Sequence, residues 1–440
     1  MPMKRLRSAL AFLPILALLC MLTLVACAPG NLGSEEIAFA RDGHLWTIDP
    51  HGANAFMAVA QGAPVLGYSL SPDHQLFAFR TLDSTFAQTL AGKQLTANPL
   101  TGLTADAPGT LNTVGIDGGT PIPLIVSGST LSQSNAWWTP DGTHLLYREG
   151  LNPAAWWISQ NDQPLGIARK SLPASYSFPS IDAQSSLSIE NTEQGIFTTT
   201  LAGTNLAFVQ RGPLAGHPLP ASLERILWQP AHTHPALLYA IMPESSINGE
   251  GQFALILRAA TGETRLLAHC DCRQFAWAPD GNAILYSTSQ GYTVLQLQSG
   301  ASFQFNTEHG AVPYWSPDSQ ALLLDGVHTL TLVHVATQQI QILLSDNNAA
   351  IMLDGPLPGS LAAVQPVANS LWNADGRRFV LVTRGRTQWQ GQPLATGNGL
   401  YAVTLNNQDE PQEMPFLVDH NGHDTQPGWS YADPNTSFLF

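Results

Sequence analysis

The chain has 440 residues, of which only 11% are Asp, Glu, Lys or Arg, and its formal net charge is −14. Typical soluble proteins are about 25% charged, so uncharged polar residues must supply much of this surface. The acidic excess opposes nucleic-acid backbones and anionic lipid surfaces, which recruit clustered Lys and Arg, and it excludes an electrostatic nucleic-acid binder.

The N-terminus carries a targeting pattern. Lys4, Arg5 and Arg7 precede an almost entirely apolar run over residues 9–25. A short apolar run behind basic residues is typical of a secretory signal. The segment Leu24-Val-Ala-Cys27 at its end resembles the lipobox of bacterial lipoproteins, and the resemblance implies that Cys27 becomes the diacylated N-terminus after cleavage. An ordinary secretory signal or an uncleaved helix is the alternative.

Three segments are therefore expected: a lipoprotein signal peptide over 1–26, a flexible tether over 27–36 and one large domain over 37–440. The domain would be extracytoplasmic and would touch the membrane only through the lipid on Cys27. Loss of the three basic residues of the leader leaves 15 basic and 32 acidic residues, a net charge of −17.

A degraded Trp-Ser-Pro-Asp-Gly phrase recurs along the domain. Successive copies begin 38 to 68 residues apart, which is the period of a four-stranded propeller blade with loops of variable length. The clear copies begin at Trp138, Trp277, Trp315 and Trp372, and the weaker ones at Leu70, Pro179, Trp228 and Trp429.

Short apolar runs bounded by Gly, Pro, Asp and Asn follow each phrase and predict further strands. The sequence thus predicts an all-β fold, a β-propeller of four-stranded antiparallel blades with strands a, b, c and d. Residues 37–48 predict later strands of a blade but no strand a before them. The phrase at Trp429 predicts a strand a, but little chain follows it to form the other strands of that blade. We predict eight blades, with seven as the alternative, and N- and C-terminal strands that share one blade. Phe438–Phe440 competes for the place of strand b.

These turns, together with Ile-Ala-Phe-like b strands and Leu-Trp-x-Ile-Asp-like c strands, resemble the TolB-type, WD-like propeller repeat over residues 37–440. The resemblance implies an extracytoplasmic scaffold or binding propeller and carries no shared catalytic residue. A full TolB protein has an additional N-terminal domain, for which Cys27 to Ile37 leaves no room, so the resemblance does not imply a role in the Tol system.

The recurring Asp and Trp favour structural roles. A carboxylate after Pro and before Gly accepts main-chain N–H bonds in a tight turn, a stronger explanation for Asp280, Asp318 and Asp375 than metal binding. The repeated Trp is expected to fill the space between adjacent blades.

The long connections lie at one end of the predicted strands, between b and c or between d and a. Binding groups concentrate on long loops at rigid strand ends, so this b–c/d–a face is the predicted functional face. The b–c connections are 83–110, 241–252 and 384–398, and the d–a connections are 211–225, 346–369 and 419–427.

Candidate ligand residues on this face fall in two loops. Arg384, Arg386 and Trp389 would present cations and an aromatic platform, with a solvated loop as the alternative. His420, His423 and Asp424 belong to a His- and Asp-rich segment whose side chains are good metal ligands. Their spacing matches no recognised ligand motif, so neither a metal nor a cofactor is predicted.

Cys270 and Cys272 form the remaining cysteine feature. In an oxidising compartment the pair predicts a small disulfide, with two free thiols as the alternative. Metal ligation would need partners that the sequence does not cluster nearby.

Nothing in the sequence matches a catalytic serine elbow, a zinc-protease helix or a phosphate loop, which favours a binding module over an enzyme. We expect a monomer that binds an unknown protein, peptide or envelope ligand. A hydrolase or lyase acting on extracellular glycan or peptide is the alternative. A structural accessory subunit of a membrane complex is a third.

Overall fold

The computed structural model divides the chain into two compact units, Met1–Glu35 and Glu36–Phe440, and every strand among the described residues belongs to the second. Cys27 lies outside the described residues, so its lipidation stays a prediction. In the described part of the chain, no helix is long and apolar enough to cross a bilayer. The structure describes residues 35–59, 64–71, 76–86, 88, 108–116, 118–125, 137–138, 144–149, 155–160, 170–171, 180–181, 187–192, 195–200, 207–211, 226–230, 235–241, 253–272, 274–308, 311–326, 328–345, 371–373, 375–383, 388–395, 399–406, 410–411, 414–421 and 424–429.

The described residues form eight antiparallel sheets, numbered here in chain order. Sheet 1 contains β1 (Ile37–Arg41), β2 (His44–Ile48), β3 (Phe56–Val59) and the last strand, β33 (Asp424–Trp429). Sheet 2 contains β4 (Val65–Leu70), β5 (Leu76–Leu82), β6 (Gly109–Gly115) and β7 (Gly118–Ile125). Sheet 3 contains β8 (Trp137–Trp138), β9 (His144–Glu149), β10 (Ala155–Gln160) and β11 (Lys170–Ser171). Sheet 4 contains β12 (Ser180–Ile181), β13 (Leu187–Thr192), β14 (Gly195–Thr200) and β15 (Ala207–Arg211).

The second half of the chain continues the pattern. Sheet 5 contains β16 (Ile226–Trp228), β17 (Leu237–Ile241), β18 (Phe253–Arg258) and β19 (Thr264–Cys270). Sheet 6 contains β20 (Phe275–Trp277), β21 (Ala283–Thr288), β22 (Gly291–Gln296) and β23 (Ser302–Asn306). Sheet 7 contains β24 (Val312–Trp315), β25 (Ala321–Asp325), β26 (Thr329–His334) and β27 (Ile340–Ser345), extended by β29 (Gln388–Trp389) and β30 (Gln392–Pro393). Sheet 8 contains β28 (Arg378–Thr383), β31 (Gly399–Thr404) and β32 (Phe416–Asp419).

This architecture confirms the predicted all-β fold of four-stranded antiparallel sheets. In most sheets the four strands follow one another in sequence, as strands a to d. Sheet 8 has an isolated bridge from Trp372 to Phe379 in the place of strand a. In sheet 1 the place of strand a belongs to β33, which pairs Trp429 with Ile37. First and last strands therefore share a sheet, while the complete ring of eight blades stays a prediction.

Sequence explains which strands form the core. Strand b of sheet 7, β25, has four consecutive buried residues, Ala321 to Leu324, because it is covered on both of its faces. The outer strand β27 instead begins with alternating exposure at Ile340, Gln341 and Ile342. The main apolar clusters join neighbouring sheets, one of them uniting sheets 7, 8 and 1. Burial between the sheets thus holds the assembly together.

The repeated Trp lies between sheets, as predicted. The indole Nε1 atoms of Trp138, Trp277 and Trp372 donate to main-chain oxygens in the preceding sheet. Trp315 is also buried, at 3% exposure. These side chains therefore set the spacing of successive first strands.

Candidate binding face

The strand bounds divide each sheet into two ends. Strands b and d run from the a–b/c–d face toward the b–c/d–a face, so the strand ends that border the connections 83–108, 346–370 and 384–398 lie at the second face. The a–b connections 278–282 and 316–320 are short. The expectation that the long connections all lie between b and c or between d and a needs correction, because 405–415, between strands c and d of sheet 8, is also long.

The recurring Asp residues lie on the a–b turns of the opposite face and serve the backbone. The side-chain oxygens of Asp280, Asp318 and Asp375 each accept the main-chain N–H two residues later, at 2.8–3.0 Å. This is the turn chemistry predicted for the carboxylate. The Trp-Ser-Pro-Asp-Gly phrase is therefore part of the scaffold.

The connection 384–398 contains a short hairpin that extends the neighbouring sheet. Its first strand, β29, pairs with the outer strand β27 through Trp389 and Leu344. The Gln390 N–H also donates to the Leu343 oxygen at 2.8 Å. Both turn residues have positive φ, 48° at Gln390 and 81° at Gly391. The mirror-image turns that close two-residue hairpins require positive φ.

Trp389 is not the exposed aromatic platform suggested by its position in a loop. Its side chain is 2% exposed and packs in the cluster that joins sheets 7, 8 and 1. The hairpin buries it against the end of β27, which removes it from any open ligand surface. Arg384 and Arg386 lie outside the described residues, so their ligand-facing role stays a prediction.

The His- and Asp-rich segment begins with an engaged carboxylate. Asp419, at the end of β32, forms an ion pair with Arg41, at the end of β1. Its other oxygen accepts the Asn421 N–H at 2.8 Å. The Arg41 guanidinium also lies over the rings of Phe39 and Trp46, 4.8 and 5.2 Å from their centroids. Charge, hydrogen bonding and stacking thus lock sheet 8 to sheet 1 at this face.

The remaining members of the segment are only partly placed. His420 is exposed beside the ion pair. Asp424 is described by its backbone, which lies opposite Arg41 in the pairing of β33 with β1. His423 lies outside the described residues. Among the residues that are described, no group of three His, Cys, Asp or Glu side chains is arranged to hold a metal ion.

A second polar contact between sheets lies at the same face. Glu308 follows β23 of sheet 6 and accepts the His328 N–H of sheet 7 at 2.8 Å. The Gly326 position explains the close approach, because a Cβ there would lie 2.2 Å from the Glu308 carboxylate. This contact therefore braces two adjacent sheets at the b–c/d–a face.

Cys270 and Cys272 are joined by a disulfide, and both side chains are 3% exposed. Cys270 ends β19, and Cys272 leads into the next sheet, where its N–H donates to the Ser287 oxygen at 3.2 Å. Cys272 has a φ of 38°, in a region that residues other than Gly rarely occupy. The bridge therefore belongs to the buried joint between sheets 5 and 6.

Arg41, like Glu308 and Asp419, is a residue of this face that sequence reasoning missed. Arg41 and Asp419 are 378 positions apart, so only the pairing of the chain ends brings them together. The Arg41-Asp42-Gly43 segment resembles any other polar turn in the sequence. The predicted sharing of one blade by both chain ends was the one signal that pointed to this proximity.

Comparison with known proteins places the fold among propellers. The sequence matches no family profile and no curated protein. A solved oligogalacturonate lyase in complex with manganese is similar in structure, with a TM-score of 0.51 and 10% identity, over 85% of this chain and 97% of that chain. A eukaryotic initiation factor has a TM-score of 0.50 and 10% identity, over 90% and 98% of the two chains. TolB from Acinetobacter baumannii matches with a TM-score of 0.35 and 12% identity, over 88% and 78%. For the lyase and the initiation factor, at 10% identity, the likeness shows the fold alone.

Proposed function

We propose that the chain is a lipid-anchored extracytoplasmic β-propeller that binds a protein, peptide or envelope ligand through its b–c/d–a face. The single observation that carries the binding role is the strand layout, in which the strand ends that border the longest connections lie at one end of the sheets. Loops held by a rigid β scaffold are the usual place for binding groups. The anchor rests on the lipobox-like sequence that ends at Cys27.

The contacts at that face support a rigid platform beneath the loops. The Arg41–Asp419 ion pair, the Glu308–His328 bond and the β29–β30 hairpin each tie one sheet to its neighbour. A ligand that bridges two connections would therefore meet strand ends of fixed spacing. Such preorganisation lowers the entropic cost of binding.

The test is capture from a cell-envelope extract with the immobilised domain. One variant replaces residues 89–105 with a short Gly-Ser linker and a second replaces residues 350–366, which removes two long connections while retaining the β29–β30 hairpin. A control variant carries the same linker in the c–d turn at Ser299, on the opposite face. Partners should be lost with the first two variants and kept with the control. Equal recovery by all three would reject the assigned face.

An enzyme is the second candidate, because a manganese-bound oligogalacturonate lyase shares the fold. For this chain the proposal is a hydrolase or lyase that acts on an extracellular glycan or peptide, with His420, His423 or Asp424 near the reaction. A turnover screen over uronate-containing glycans, other glycans and peptides, with and without chelator, tests it. Activity that His423→Ala abolishes supports the enzyme, whereas absence of turnover on all substrates removes it.

The anchor has its own test. Mass spectrometry of the purified protein should show a diacylated Cys27 as the new N-terminus, and Cys27→Ala should carry no acyl chains. An unmodified Cys27 would reject the proposed anchor. The proposed binding role would be unaffected, because it depends on the b–c/d–a face.

A further inference from the structure

The large apolar side chains that remain exposed share one location. Within the described ranges, every exposed large hydrophobic lies on an outer strand d or, for Met414, just before one. Their exposed fractions run from 45% to 56%. They are Phe56, Ile122, Leu266, Ile340, Ile342, Met414 and Phe416.

Apart from Ile122, which lies past the middle of β7, these side chains lie toward the a–b/c–d face. Pairing across sheet 1 places Phe56 opposite Thr47, which is opposite Ala38 near the start of strand b. Phe416 and Ile340 are likewise the first residues of their outer strands. The other ends of these strands are buried, as at Val59 and Leu344. The outer strands of sheets 1, 7 and 8 are thus apolar and open near the c–d end and more covered near the d–a end, whereas β7, β19 and β23 begin with Gly or polar residues.

The c–d turns of sheets 1 and 2 contact exposed apolar side chains on the outer strands of sheets 8 and 1. The c–d turn of sheet 1 lies against sheet 8, where the His51 ring contacts Phe416 edge-on with centroids 6.1 Å apart. The c–d turn of sheet 2 lies in the same way against sheet 1, and a Cβ at Gly118 would be 2.9 Å from the Phe56 ring. Along the outer edge of sheets 8, 1 and 2, the outer strand of one sheet is therefore followed by the c–d turn of the next sheet.

The predicted tether enters the domain at the same face. Ile37 begins strand b of sheet 1, level with Ile48 and close to Phe56 in the strand pairing. Nine residues, 28–36, separate it from Cys27, and they span at most about 30 Å when fully extended. A blade of six-residue strands is about 20 Å high. To turn the opposite face toward the bilayer, the tether would use most of its length along the side of the domain.

We propose that the rim formed by Phe56, Phe416, Met414, Ile340 and Ile342 rests on the lipid bilayer that holds the anchor, which revises the expectation that the domain touches the membrane only through the lipid on Cys27. The inference depends on the proposed anchor at Cys27, and it orients the proposed binding face away from the membrane. Half-exposed Phe, Ile and Met side chains at the boundary between lipid headgroups and acyl chains would lose their contact with water. The tether supplies the attachment, and the rim fixes the orientation.

The net charge defines the lipid chemistry that suits this contact. With −17 for the chain without its leader, the domain gains nothing from an anionic surface. The contact should therefore form on zwitterionic lipid and persist at high salt, since salt screens charges but does not weaken apolar burial. An interaction that required anionic lipid would contradict the rim.

The test uses the full chain in phosphatidylcholine vesicles, with p-benzoylphenylalanine placed at one position at a time. Phe416 and Ile340 report the rim, and both are exposed enough to accept a larger aromatic. Gln392 is the matched control, because it is exposed on the β29–β30 hairpin at the opposite face. After irradiation, mass spectrometry should find lipid adducts at 416 and 340 and only background at 392.

Each outcome separates the rim from the anchor. A chain diacylated at Cys27 that forms no lipid adduct at 416 or 340 overturns the rim and leaves the anchor intact. Cross-linking of these positions to a second copy or to another protein in place of lipid also overturns it. A chain without acyl groups at Cys27 overturns both proposals. Lipid adducts at 392 equal to those at 416 would show that no face is preferred, which rejects the orientation.

Discussion

The indole Nε1 of Trp277 donates a hydrogen bond to the main-chain oxygen of Leu227, 3.4 Å away in the preceding sheet. Leu227 comes immediately before Trp228, the first residue of the previous copy of the repeated phrase. Trp138 and Trp372 bond in the same way to Ser69 and Tyr314, each one residue before the phrase of its preceding sheet. The repeat thus encodes the contact between blades as well as the turn within each blade.

Trp315 is an internal control for the hydrogen bond that the repeated Trp donates to the preceding sheet. It is buried like Trp277, yet its Nε1 has no hydrogen-bond partner among the residues described. Replacement of Trp277 by Phe should cost about 1–2 kcal/mol of unfolding free energy, because volume is lost and the Leu227 oxygen loses its donor. Trp315→Phe should cost about 1 kcal/mol less, since no bond breaks. Guanidinium unfolding of both variants measures the difference, and equal losses would show that packing alone matters.

The Arg41–Asp419 pair should stabilise the junction between the two ends of the chain. Both side chains are 12–14% exposed, so the charges are shielded from most solvent screening. Arg41→Ala and Asp419→Ala should each cost about 1–3 kcal/mol, and the double variant should cost about 1–2 kcal/mol less than their sum. Arg265→Ala, on an exposed outer strand, is the control. Additive losses in the double-mutant cycle would deny a direct coupling.

Much of this fold could be predicted because local signals agree with one another. The turn phrase and the apolar runs after it mark strands such as Ala283–Thr288 and Ala321–Asp325 in the same places as the structure. The hairpin at Gln388–Pro393 escaped prediction because its strands have two residues each and pair with a strand formed more than forty positions earlier. Burial of Trp389 follows from that distant pairing, which no local pattern contains.

The hairpin should depend on its buried anchor. Trp389→Ala removes a large side chain from the cluster between sheets, a loss of about 3–5 kcal/mol for a fully buried aromatic. The hairpin should detach first, so the Gln390 amide should exchange with solvent faster and trypsin should cleave after Arg386 sooner. Gln392→Ala, at an exposed position of the same hairpin, should change neither. Unchanged exchange at Gln390 in Trp389→Ala would show that main-chain pairing suffices.

Tyr239 predicts a loss of stability at alkaline pH. Burial raises the pKa of its phenol to about 12, and the nearby Arg258 charge offsets part of that rise. Because the folded pKa lies above the unfolded value of about 10, the unfolded chain releases this proton first as pH rises. Ionisation of Tyr239 therefore does not lower the free energy of unfolding below about pH 10, and it lowers it by about 2–3 kcal/mol at pH 12. Unfolding free energies at pH 8, 10 and 11 should fall more steeply for the parent chain than for Tyr239→Phe. Parallel slopes would assign the alkaline transition to other groups, such as the buried Tyr68, whose pKa burial also raises.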